Sequence, residues 1–172
     1  MASKATKPAA KKATGSARTD PATKLLMADH KEVHAMFQQY KKLADADAEA
    51  SEREALATEI CHALTVHATI EEELFYPAAR EAEVDADLLD EAEVEHASAK
   101  ALIAQVEAMS PDDALYDAKV TVLGEYIDHH VKEEEGELFP KCRKSDMDLE
   151  ALGEALAARK QELTAEMAEM AS

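Results

Sequence analysis

Apolar side chains recur every three or four residues along four separate stretches of the chain, the spacing of a buried helix face. Leu26, His30, Val33, Phe37 and Tyr40 mark the first, and Leu56, Ile60, Leu64, His67, Glu71 and Leu74 the second. Leu89, Ala92, His96, Ala99, Ile103 and Val106 mark the third, and Leu123, Ile127, His130, Glu134 and Leu138 the fourth. Residues between the stripes set the expected helix ends. Asp20-Pro21 starts a helix running to about Leu43, the aspartate as cap and the proline where its missing N–H does no harm. ADADAEA makes a turn, Ser51 and Glu54 form a capping box, and the second helix stops near Pro77. The third spans about Asp87 to Met109, and Ser110-Pro111 opens a fourth that reaches about Leu138. Asp148 to Met170 makes a fifth, amphipathic helix. Four helices of about 20 residues with short connections predict an all-α, up-down-up-down four-helix bundle with an added C-terminal helix.

The inward stripes are interrupted by groups that do not belong in a dry core. His67 and Glu71 continue one stripe, His130 and Glu134 another, and in both copies a proline lies ten residues after the histidine. Residues four apart on a helix lie one turn above each other, so each pair points a nitrogen and a carboxylate at one place. A buried unpaired carboxylate costs several kcal/mol, and no lysine or arginine lies on either stripe to offset it. Protons or a cation must supply the positive charge. The first and third helices carry the acid-histidine pairs Asp29-His30 and Glu95-His96, at a 66-residue offset close to the 63 residues from His67 to His130. A duplicated helical hairpin with pseudo-two-fold symmetry explains both repeats.

Composition adds two constraints. The chain of 172 residues is 47% hydrophobic, long enough for one domain with a real core, and low in glycine. Its net charge is −18, yet residues 1–19 hold five basic residues and no acidic one, so the remainder carries −23. The body therefore makes a soluble, self-repelling surface without general nucleic-acid affinity. The segment 1–19 is expected to be a disordered basic tail, with 20–143 as the bundle and 148–170 as the C-terminal helix. A solubilising or folded-back arm is the plainer reading of this tail; the sharper one is salt-sensitive binding to DNA or another polyanion through Lys4, Lys7, Lys11, Lys12 and Arg18, and a targeting segment ranks below it. Cys61 and Cys142 suggest neither a disulfide framework nor a thiolate zinc site, and no run approaches a membrane span, which together fit a cytoplasmic protein. Cys142 lies among Lys141, Arg143 and Lys144, a setting that favours thiolate, although an inert thiol is the plainer expectation.

In a bundle the candidate metal ligands His30, His67, Glu71, His96, His130 and Glu134 come from four helices and can converge. Four imidazoles and two carboxylates exceed what one tetrahedral zinc needs. Bridging carboxylates bring the set to about eight donor atoms for two octahedral ions, with a shared oxo or hydroxo group and open positions for a small ligand. Mixed imidazole and carboxylate ligation of this kind favours iron. His34, one turn after His30, is either a fifth imidazole or a hydrogen-bonding neighbour. Tyr126, one turn before His130, is either core or a hydrogen-bond partner of a ligand. Glu72, Glu73, Glu133 and Glu135 read as solvated, and His62 and His129 as surface residues.

The order His30, His67-x-x-x-Glu71, His96, His130-x-x-x-Glu134, with the tails EEELFYP and EEEGELFP, resembles the hemerythrin-like HHE cation-binding domain over about Leu25 to Arg143. The resemblance implies a four-helix bundle around a carboxylate-bridged di-iron centre. It further implies dealings with O₂, peroxide or nitric oxide in sensing, detoxification or iron handling. Two departures from the oxygen-carrying hemerythrins count against reversible O₂ transport. Lys100 stands four after His96 where they carry a histidine, and Glu134 stands four after His130 where they carry an aspartate at five. Catalase-like peroxide disproportionation is the enzyme reading of the same site. A nucleoid or partner-binding module that uses its tail and keeps a structural metal is the reading from another class.

Overall fold

Asp20 accepts a hydrogen bond from the Thr23 N–H at 2.8 Å, and Pro21 follows as the first helical residue, so α1 (Pro21–Asp45) begins where the sequence says. The computed structural model describes residues 20–171; the tail expected at 1–19 lies outside the described residues. After α1 come α2 (Ala50–Ile70), the π-helical turn π1 (Glu71–Phe75) and α3 (Tyr76–Glu81), which run on without a break. Then come α4 (Ala86–Glu107), α5 (Tyr116–Glu133), the turn π2 (Glu134–Leu138), α6 (Phe139–Lys144) and α7 (Leu149–Met170). No strand occurs among the described residues, and none of their helices is long and apolar enough to cross a membrane.

Four expected boundaries move, each for a local reason. α2 starts one residue before Ser51, so that serine caps nothing, and the turn is held instead by Arg53 reaching the Ala48 and Pro111 carbonyls and Asp117. Ser110 closes a single turn with Asp112 and Asp113, and α5 waits until Tyr116. Pro77 and Pro140 do not end their helices. In each case a π turn precedes the proline, with the Tyr76 N–H bonded to the Glu71 carbonyl and the Phe139 N–H to that of Glu134. The chain thus changes register where proline offers no N–H of its own.

α1, α2, α4 and α5 close a ring in that order around the core. One apolar cluster, with Leu26, Ile70, Phe75, Leu89 and Leu138, fills one end. A second, with Val33, Ile60, Leu64, Ile103 and Leu123, fills the other. The histidines of the four stripes fall between the two. α7 packs on α1, α2 and π1 with Leu156 fully buried in the first cluster. A Cβ on Gly153 would come within 2.6 Å of Pro21 Cβ and 2.9 Å of the Ala22 backbone nitrogen. Gly153→Ala should therefore push α7 off α1 at a cost of ~1–3 kcal/mol, more than the ~1 kcal/mol alanine returns in helix propensity. A thermal unfolding scan checks it: the midpoint falls by several degrees.

Cys61 and Cys142 are free and buried, and burial pushes both thiols up to about 12. Of the basic residues beside Cys142, Lys141 pairs with Asp85 and Arg143 with Asp20 and Thr23, and burial outweighs the charge of Arg143 on the thiol. The inert reading of this thiol holds.

Candidate metal centre

α1, α2, α4 and α5 each bring one buried imidazole to the level between the two apolar clusters. His30 Nε2 and His67 Nε2 stand 3.1 Å apart, and so do His96 Nε2 and His130 Nε2. Between these two pairs lie the carboxylates of Glu71 and Glu134, which start π1 and π2. Glu71 spans the gap: Oε1 is 3.1 Å from His67 Nε2 and Oε2 is 3.2 Å from His96 Nε2. Glu134 Oε2 lies 3.2 Å from His30 Nε2 and 3.6 Å from His130 Nε2. The donors thus form two groups, one of His30, His67, Glu71 and Glu134, the other of Glu71, His96 and His130, with the atoms in each within 4.8 Å of one another.

The outer nitrogens are held by a pattern that repeats with the pseudo-two-fold axis. Asp29, just before His30, meets His67 Nδ1 at 3.1 Å, and Glu95, just before His96, meets His130 Nδ1 at 2.6 Å. Glu72, just after Glu71, meets His96 Nδ1 at 2.9 Å, and Glu135, just after Glu134, meets His30 Nδ1 at 2.8 Å. A carboxylate acceptor at each Nδ1 makes that nitrogen the N–H donor, which leaves the Nε2 lone pairs facing inward. Glu71 Oε1 and Glu134 Oε2 face the same space, buried and without a hydrogen-bond partner. Lone pairs and carboxylate charge converging on one dry volume repel each other unless something positive sits there. The donor set therefore fits a metal.

Protons are the other positive charge available. Burial alone would lower the His67 and His130 pKa values, but Glu71 and Asp29 push His67 up to about 10, and Glu134 and Glu95 push His130 up to about 9. Burial opposes ionisation of Glu71 too, yet His67 and His96 hold it well below the usual carboxylate range. Metal and protons compete for the same nitrogens.

Tyr76 was not visible in the helix pattern. Its hydroxyl lies 2.7 Å from Glu134 Oε1, 3.1 Å from His96 Nε2 and 3.3 Å from both His130 Nε2 and Glu71 Oε2. Burial, then the charges of Glu134 and Glu71, raise its pKa well above the tyrosine norm. It therefore keeps its proton and donates it to Glu134 Oε1, which leaves Oε2 toward His30. The π turn explains why periodicity missed it: with i→i+5 bonding, the fifth residue after Glu71 comes back to the inner face, where an α-helix would carry it away. Phe139 is the fifth residue after Glu134, and its ring stacks on His30 with centroids 5.9 Å apart. Reading the two copies against each other would have marked this position.

His34 and Tyr126 are not brought to the site. His34 is half exposed and pairs with Asp128 and Gln38, and Tyr126 is 51% exposed. At 100° per residue each lies about 70–80° from the centre of its helix's inner stripe, too far round to face inward. Of the glutamates expected to be solvated, Glu72 and Glu135 instead hold imidazoles, Glu73 meets Arg159 at 2.7 Å and Glu133 meets exposed His129 at 3.3 Å.

A helical bundle that closes four imidazoles and two carboxylates around one small volume is, as a class, a metal-binding helical-bundle protein. The chain belongs to the hemerythrin HHE cation-binding domain family, whose model, described as Hemerythrin HHE cation binding domain, matches residues 22–142. The fold is shared with a hemerythrin HHE cation binding domain-containing protein from Mycobacterium kansasii. The TM-score is 0.68 at 24% identity, over 85% of this chain and 88% of that one. A protein of Nostoc sp. named a DNA nickase is 29% identical over 117 residues, 68% of this chain. This chain spans about a third of that relative's length, 32%.

Proposed function

We propose that His30, His67, Glu71, His96, His130 and Glu134 hold two iron ions, and that the centre meets O₂, peroxide or nitric oxide in sensing, detoxification or iron handling. The observation that carries this reading is the pair of buried carboxylate oxygens without a hydrogen-bond partner, inside a donor set that divides into two groups shared by Glu71. Mixed nitrogen and oxygen ligation with open positions suits iron, which when bound supplies reversible one-electron chemistry and affinity for small oxygen and nitrogen ligands. The protein's own residues orient and enclose. Asp29, Glu72, Glu95 and Glu135 fix the four rings, and Tyr76 fixes Glu134. A cavity of about 30 Å³ beside the four imidazoles, walled by Val33, Leu64, Ala99, Ile103 and Ile127, has room for one molecule of water size. We read 20–143 as the metal-binding bundle, 148–170 as an accessory helix, and the cytoplasm as its location.

Metal analysis of protein grown in iron-rich medium, with the near-ultraviolet charge-transfer spectrum of the aerobic sample, tests the reading. Two irons per chain and a spectrum altered by nitric oxide support it; stoichiometric zinc without iron removes it. Tyr76→Phe should keep the fold, since phenylalanine already fills the equivalent position 139, and weaken iron binding by about tenfold. Competitive titration against a chelator measures that loss. Peroxide disproportionation at the same site predicts O₂ evolution that disappears in Glu134→Ala.

A polyanion-binding role rests on the five basic residues of 1–19 and on a relative named for an action on DNA. Low-salt gel shifts with and without those residues decide it, and equal migration in both ends the idea.

A further inference from the structure

His67 and His96 occupy different halves of the centre and are steadied in parallel ways with one difference. Each gives its Nδ1 to a carboxylate whose second oxygen is held by a lysine. For His96 the chain runs through Glu72 to Lys100, and both lie within the bundle, on π1 and α4. For His67 it runs through Asp29 to Lys160, which lies on α7, beyond the residues that the family model matches. Asp29 is buried, so its second oxygen has little water to fall back on if Lys160 leaves. The other acid of the same pseudo-symmetric kind, Glu95, keeps more exposure and meets His129 on its outer side at 3.4 Å. α7 has a separate anchor: Arg159 grips both oxygens of Glu73 at 2.7 and 3.2 Å.

We infer that Lys160 is a positioning residue for half of the metal centre: through Asp29 it fixes the His67 imidazole, so the ion held by His30 and His67 depends on α7 being docked, whereas the ion at His96 and His130 does not. The inference rests on the two-metal reading above. A free Asp29 can turn from His67, and an imidazole that has lost its acceptor loses both its fixed orientation and part of its basicity as a ligand. Coupling of this kind is reciprocal, so metal in that half tightens the docking of α7.

The test uses the full chain loaded with iron and then challenged with a chelator, metal being counted per chain over time. Lys160→Met should release one of two equivalents about tenfold faster or more, leave the other at the unaltered rate, and shift the charge-transfer spectrum. Lys160→Arg should restore retention. Arg159→Met cuts the pair of Arg159 with Glu73 that ties α7 to π1 and should retain both equivalents. Retention of both ions by Lys160→Met, loss of both together, or the same loss in Arg159→Met would each overturn the inference. Hydrogen exchange on the unaltered chain needs no variant to fold: the amides around Leu156 to Leu163 should exchange more slowly with iron bound, and equal exchange counts against the coupling. An unaltered chain that never takes up a second equivalent removes the two-metal reading itself and this inference with it, an outcome distinct from the others.

Discussion

Glu71→Ala should take up at most one iron per chain where the proposed centre of the unaltered protein would take two, and its remaining affinity should fall by more than about 100-fold. Glu71 is the single donor placed in both groups, with one oxygen toward His67 and the other toward His96, so its removal strips a ligand from each ion. Loss of residues that merely support a ligand costs about 10–100-fold, which sets the floor for losing a shared ligand. Glu71→Gln should fall between, because its amide keeps one oxygen and turns an NH₂ group, which cannot ligate, to the other side. Elemental analysis and titration with iron(II) measure both variants. A Glu71→Ala protein that still holds two ions with unaltered affinity would mean that the carboxylate is no ligand. The same variant should also lower the His67 pKa in metal-free protein, since Glu71 is the strongest influence raising it.

Metal-free protein should lose stability as pH rises from about 6.5 to 10, whereas iron-loaded protein should not. His67 and His130 titrate near 10 and 9 in the fold against about 6.5 in an unfolded chain. Groups with raised pKa values contribute stability in full below the unfolded value and lose it as pH climbs through the folded one. Glu71 is shifted the opposite way, so its contribution is present above about pH 4.5 and is lost on acidification through its lowered value. Metal-free stability therefore peaks between about pH 5 and 6.5 and declines by on the order of a few kcal/mol toward pH 10. Iron bound as proposed would take the place of the protons on those nitrogens, and raising the pH would then favour binding. Thermal midpoints across pH 5–10, with and without iron, should diverge on the alkaline side; curves that fall in parallel would show that the imidazoles do not exchange protons for metal.

Much of this molecule follows from local rules. Helix periodicity put His30, His67, His96 and His130 on inward faces because a core stripe repeats every three to four residues whatever it packs against, and all four are buried. Asp20-Pro21 started α1 and Asp148 capped α7 because an N-cap bond is made within three residues. The reading failed where the helix changed its period. Pro77 looked like a stop and the fourth helix was expected to reach only about Leu138, yet a π turn before Pro77 and another before Pro140 carried the helix on and turned Tyr76 and Phe139 inward. His34 and Tyr126 failed for a gentler reason: one turn from an inward histidine is still about 40° off it, enough to face solvent at the edge of a stripe.

That acid and imidazole groups would enter the core of a helical bundle was already written in residue order, because burial follows side-chain spacing along one helix at a time. Which atoms would then meet depended on contacts between helices: Asp29 with His67, Glu95 with His130, Glu135 with His30, and Lys160 with Asp29 from a helix 131 residues further on. No single helix's period encodes those pairings. They arise only when the bundle closes, since hydrogen bonds of this length are set by the relative depth and rotation of neighbouring helices.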